Sequence, residues 1–97
     1  MKVRFTRVAQ QDIARIHTYI SQDSSVVASR VVARLIERSR LLADNPFQGR
    51  ATDEPGARVV IVARLRYFIF YTISADEIRI THIRHTSRRR APGMTGR

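Results

Sequence analysis

The stretch RVVIVARLRYFIFYTISADEIRITHI, residues 58–83, decides the architecture. Arg58–Ala63 is rich in β-branched residues, whose stiff side chains suit a pleated surface. Tyr67–Ile73 (YFIFYTI) is apolar at both alternating sets of positions, as a strand in the middle of a sheet should be. Ile78–Ile83 follows Ser74-Ala75-Asp76-Glu77, a polar tetrapeptide long enough for a hairpin turn. Strands joined in this way pair antiparallel. The alternation of the last segment is imperfect, because Ile78 and Ile80 share one face and Ile83 falls on the other. Either a bulge or burial on both sides would account for it.

Upstream the period changes from two to 3.6. Val3–Phe5 is a short β-type segment, and Thr6 after it is a helix N-cap candidate. Ala9, Ile13, Ile16 and Ile20 then form an apolar stripe, with Gln10, Asp12, Arg15 and Thr18 outside it. Ser21-Gln22-Asp23-Ser24 is a polar break in which Ser24, or Ser25 after it, can cap the next helix. That helix is expected from about Val26 to Ala43. Ala28, Val31, Val32, Leu35 and Leu42 mark its buried side, and Arg30, Arg34, Glu37 and Arg38 its wet side. Asn45-Pro46 ends it, since the residue before proline is pushed out of helical geometry. A loop follows, containing Pro46-Phe47-Gln48-Gly49-Arg50 and Glu54-Pro55-Gly56. The order β-α-α-β-β-β predicts an α+β fold, a helical hairpin covering one face of a small antiparallel sheet. The other face is then left, at least in part, for function. The first strand is expected at an edge of the same sheet. One domain is expected over residues 1–90, with a flexible tail over 91–97, where the chain is Arg-, Pro- and Gly-rich without periodicity.

Composition narrows the function. The chain has 97 residues, 43% of them hydrophobic and 27% charged, so it is globular in character. It has no cysteine, which excludes a disulfide scaffold, a thiolate metal site and a Cys nucleophile. No apolar run approaches the roughly 20 residues of a membrane span, and no signal peptide is visible, so a cytoplasmic location is expected. The net charge is +10, from 18 Lys and Arg against 8 Asp and Glu, and Lys2 is the only lysine. Such an excess implies an acidic partner. Arginine binds carboxylate or phosphate through a planar fork, although a GC-rich genome would produce the same bias. From Ile78 to Arg97 there are six arginines and no carboxylate. With Arg58, Arg64 and Arg66 on or beside the preceding strands, they predict a cationic surface that includes Arg84, Arg88 and Arg89. Arg90 and Arg97 read as solvated tail.

His82 and His85 are the groups whose titration suits neutral pH. A spacing of three on a strand puts them on opposite faces, so no two-ligand metal site follows. His17 reads as a boundary histidine of the first helix. His85 sits where the strand leaves the sheet, beside arginines that favour its neutral form, which would suit a general base. Phosphate-cradling glycine loops, HExxH and GxSxG are missing, and the acids Asp53-Glu54 and Asp76-Glu77 fall in turns. A metal-dependent nuclease is therefore not expected, and neither is any cofactor.

Five pieces together resemble a known family: VRFTRVAQQDIARIHTYI, LLADNPFQGR, ATDEPGARVVIV, YFIFYTI and IRITHIRHTSRR. In this order, from Val3 to about Arg90, the chain is similar to the RelE/ParE superfamily of toxins from type II toxin–antitoxin systems, and to its ParE branch in particular. The resemblance implies the β-α-α-β-β-β fold and an acidic antitoxin that neutralises the toxin. RelE-like members cut messenger RNA in the ribosome with basic residues and a His or Tyr of the last strand. ParE-like members poison DNA gyrase and lack that catalytic set. The RelE-like pattern R-x-x-Y is broken here, because Phe68 stands three residues before Tyr71, and the lysine-rich loop is absent. His85 matches a catalytic position that ParE-like sequences share, and Arg58 a basic position common to both branches. The balance favours a ParE-like gyrase poison, with Arg58, Arg64, Arg66, Arg84, His85, Arg88 and Arg89 implied in target or antitoxin contact. The alternative is a metal-independent messenger-RNA endoribonuclease, with Arg58, Arg84 and Arg88 stabilising charge and His85 moving the proton. A plain nucleic-acid-binding module is the third reading, and no recognised binding motif supports it.

Overall fold

Thr6 opens the first helix from an extended backbone (φ −67°, ψ 166°), its Oγ1 accepting the Ala9 N–H at 3.2 Å. Ser24 does the same for the second, accepting from Val27 N–H at 3.1 Å. The computed structural model describes residues 1–87. Arg88, Arg89, Arg90 and Arg97, and the expected boundary between domain and tail, lie outside them. The elements are β1 (Lys2–Phe5), α1 (Arg7–Ser21), α2 (Ser25–Arg40), β2 (Arg50–Ala51), β3 (Ala57–Val62), β4 (Tyr67–Ile73) and β5 (Glu77–His85). The expected second helix therefore ends in α geometry at Arg40. The chain continues through tighter turns at Leu41–Asp44 and Pro46–Gln48, between which Asn45 is extended before its proline. No helix among the described residues is long and apolar enough to cross a membrane.

The five strands form one sheet in the order β1-β5-β4-β3-β2. The three consecutive strands β3, β4 and β5 are antiparallel neighbours, as their linkers imply. The edge strand β1 pairs parallel with β5, from Lys2 opposite Glu77 to Phe5 opposite Ile80, so the sheet is mixed. At the far edge β2 contributes only two paired residues, Arg50 opposite Val59 and Ala51 opposite Arg58.

The helical hairpin covers one face. Ala9 and Ile16 of α1, Leu35 of α2 and Leu42 after it pack with Val60, Tyr67, Ile69, Tyr71, Ile78, Ile80 and Ile83 of the sheet. Burial of Ile78, Ile80 and Ile83 on this one face resolves the broken alternation of β5. Phe70 pairs with His82 and Tyr71 with Ile80, so Thr81 has no opposite residue and forms a β-bulge. Its hydroxyl donates to the Phe70 carbonyl at 3.2 Å. A second, smaller cluster of Val59, Phe70 and Phe68 lies on the opposite face.

Candidate interaction surface

The C-terminal half of β5 runs past the end of β1, and a side chain takes over where the neighbouring strand stops. Thr6 N–H donates to Ile80 O at 3.0 Å, ending the parallel ladder. Two turns of α1 later, Asp12 Oδ2 accepts the Ile83 N–H at 2.9 Å. Oδ1 of the same carboxylate meets Arg15 Nη1 at 3.3 Å and the Arg84 guanidinium. Asp12 is only 2% exposed. The wet position expected for Asp12 is thus corrected: the polar flank of α1 faces the unpaired edge of β5, and a carboxylate is the acceptor that edge lacks. A buried carboxylate is tolerable because three donors surround it.

Arg84, with 23% of its side chain exposed, is fixed between two groups. Besides Asp12 it reaches His82, its Nη2 lying 3.4 Å from His82 Nδ1. A guanidinium can only donate, so Nδ1 is the acceptor and the imidazole is neutral in this contact. Burial, and then the Arg84 charge, hold His82 below its ordinary value of 6.5, while Asp12 and Glu54 act weakly the other way. His82 also packs edge-on against Phe70. The two histidines lie on opposite faces, as their spacing requires. His85 stacks edge-on against Tyr67 with centroids 5.1 Å apart, and its Nδ1 accepts the Ser87 N–H at 3.2 Å. A neutral imidazole held against an arginine is found at His82.

Arg58 belongs to a different region. Its Nη1 donates to Gly49 O at 2.7 Å and to Phe47 O at 3.4 Å, and its guanidinium lies 5.0 Å from the centre of the Phe47 ring. Arg58 is opposite Tyr71 and His85 is opposite Tyr67. The two backbones are therefore four residues apart along β4, about 13 Å, and two strand spacings apart across the sheet, roughly 10 Å. Arg64 and Arg66 are exposed in the β3–β4 turn, where Arg66 adopts a left-handed backbone (φ 64°). Arg66 O accepts the Thr86 N–H at 2.8 Å, which ties this turn to the end of β5. Thus Arg64, Arg66, Arg84 and His85 gather at one end of the sheet, while Arg58 anchors the opposite edge. Arg88 and Arg89 lie outside the described residues. Among the described residues, no group of three His, Asp or Glu could hold a metal ion.

Comparisons with known proteins agree with this architecture. The family model described as ParE toxin of type II toxin-antitoxin system, parDE, matches residues 3–90. A putative toxin Y4kP of Sinorhizobium fredii is 33% identical over 84 residues, 87% of this chain and 86% of the relative. Toxin RelE2 of Caulobacter vibrioides is 32% identical over 87 residues, 90% of this chain and 97% of that one. Among solved structures, the chromosomal ParDE toxin–antitoxin system from P. aeruginosa matches with a TM-score of 0.80 at 24% identity, covering 90% of this chain and 97% of that chain.

Proposed function

The chain belongs to the ParE toxin family of type II toxin–antitoxin systems, and from that premise we propose that it arrests growth in the cytoplasm by poisoning DNA gyrase, until an acidic cognate antitoxin binds it. The observation that carries this reading is the dispersal, among the described residues, of the groups a ribonuclease would need. Cleavage of a phosphodiester requires a base and charge-stabilising donors within hydrogen-bond reach of one reacting phosphate. Arg58 instead holds the loop carbonyls of Phe47 and Gly49, and Arg84 holds Asp12. His85 lies on the face opposite His82, and far along β4 from Arg58. A protein that stabilises a trapped gyrase–DNA complex breaks no bond itself and needs no such convergence. What it needs is a cationic surface, and the exposed Arg64 and Arg66 at the end of the sheet support one.

Inducing the chain without antitoxin tests the proposal directly. Gyrase-linked DNA breaks with intact transcripts are the expected result. Prompt cuts in ribosome-bound messages, with supercoiling unchanged, would overturn it. His85→Ala should leave the growth arrest largely intact under the gyrase reading, and should reduce it strongly if His85 moves a proton.

A further inference from the structure

Phe47 is the most exposed large apolar side chain among the described residues, at 66%, yet the backbone that carries it is held on every side. Tyr71, whose ring is in the core, donates from Oη to Pro46 O at 2.7 Å and accepts the Gly49 N–H at 2.9 Å. Arg58 binds the carbonyls of Phe47 and Gly49 from the sheet side and lies against the Phe47 ring. Gln48 donates to Asn45 O at 2.9 Å and accepts from Arg38 at 2.7 Å, which links the loop to α2. An aromatic ring displayed on a loop fastened in this way loses little conformational freedom on meeting a partner. Its surroundings state the chemistry of that partner. Arg38, which binds Gln48, also lines a shallow groove of about 310 Å³ with Arg34, Glu37, Leu41 and Val62, and Leu41 is 48% exposed. Among the described residues, no carboxylate pairs with Arg34, Arg38, Arg50 or Arg58, whereas Arg4, Arg15, Arg79 and Arg84 all have one.

We propose that Phe47, with Arg58 against its ring, Arg38 bound to the next residue and Arg50 three residues on, is a preorganised anchor for an acidic polypeptide segment, the antitoxin of this toxin. An apolar side chain of that segment would pack on the ring while neighbouring carboxylates take the unpaired arginines. Aromatic anchors backed by arginine are where binding energy concentrates in protein interfaces. The proposal rests on family membership and not on the identity of the target.

The test uses the full chain and a purified antitoxin, identified as a small acidic protein whose co-expression suppresses any growth arrest that the chain causes. Phe47→Ala is expected to weaken binding at least tenfold, with an unchanged urea midpoint and unchanged growth arrest in the absence of antitoxin. Phe47→Tyr should restore affinity. Arg50→Glu, which reverses a charge that no other contact uses, should weaken binding as well. Unchanged affinity in Phe47→Ala overturns the anchor, and unchanged affinity in Arg50→Glu overturns its acidic complement. Loss of growth arrest with antitoxin affinity intact would assign the anchor to the target and also overturns the proposal. Because binding is measured without gyrase or ribosome, failure of the gyrase reading would leave this result standing.

Discussion

Replacing Asp12 with alanine removes the acceptor of Ile83 N–H and the counter-charge of Arg84 in a single step. Cutting one partner out of a buried pair costs about 3–5 kcal/mol. Asp12→Ala is therefore expected to shift the urea midpoint by a large part of a small domain's stability. Asp12→Asn, which keeps an oxygen for the strand, should cost less. His82 provides a gentler perturbation. Its folded-state proton affinity lies below the ordinary 6.5, first through burial and then through Arg84, with Asp12 and Glu54 opposing. The unfolded chain consequently takes up a proton that the folded chain refuses. Stability should fall as pH drops from 6.5 towards the folded value, by at most about 1.4 kcal/mol per pH unit, and His82 should contribute nothing above that window. Comparing chemical denaturation of His82→Asn with the parent across this range isolates the effect, because His17 and His85 are common to both.

Turns decide how the elements meet. Arg66 holds a left-handed backbone that costs a non-glycine residue about 1–2 kcal/mol, part of which glycine returns through its looser unfolded chain. Arg66→Gly is expected to raise stability by up to about 1 kcal/mol, roughly 4–8 °C in thermal midpoint for a domain of this size. Gly49→Ala should do the opposite. A Cβ there would lie 2.5 Å from Tyr71 Oη, and Tyr71 is fully buried, so a loss of about 1–3 kcal/mol is expected in the same melting experiment. Local elements of this kind were legible in the residues alone. Thr6 and Ser24 announce their helices because capping is settled within three residues, and YFIFYTI announces a central strand because both its faces are apolar. Partnerships across the chain were not. The parallel pairing of β1 joins Lys2 to Glu77, β2 has too few residues to show a period, and Asp12 reads as solvated until the edge of β5 is placed beside it. The contact of His82 with Arg84 is likewise one that no spacing encodes.

For the whole molecule the dominant quantity is the +10 charge. Among the described residues, two carboxylates, Asp12 and Glu77, account for the ion pairs, so most of the arginines repel one another without compensation. Net charge of this size opposes the compact state, and salt screens it over about 10 Å at 0.1 M. The thermal midpoint of the free chain should rise from low salt to 0.5 M sodium chloride, whereas antitoxin binding should weaken over the same range. Calorimetry on the free chain and on the complex reads both trends. The extra residue at Thr81 acts on a different principle, that of phase. Downstream of it, even and odd positions of β5 have exchanged sides, so that Ile83 points inward and His82 and Arg84 outward. Deleting Thr81 would let Ile80 and His82 follow one another in regular alternation and leave every downstream side chain on its present face, whereas ironing the bulge out with Thr81 retained would turn Ile83 outward and His82 and Arg84 inward. The bulge therefore works as a phase shifter, letting a strand whose isoleucines fall on both parities bury all of them while His82 and Arg84 stay on display.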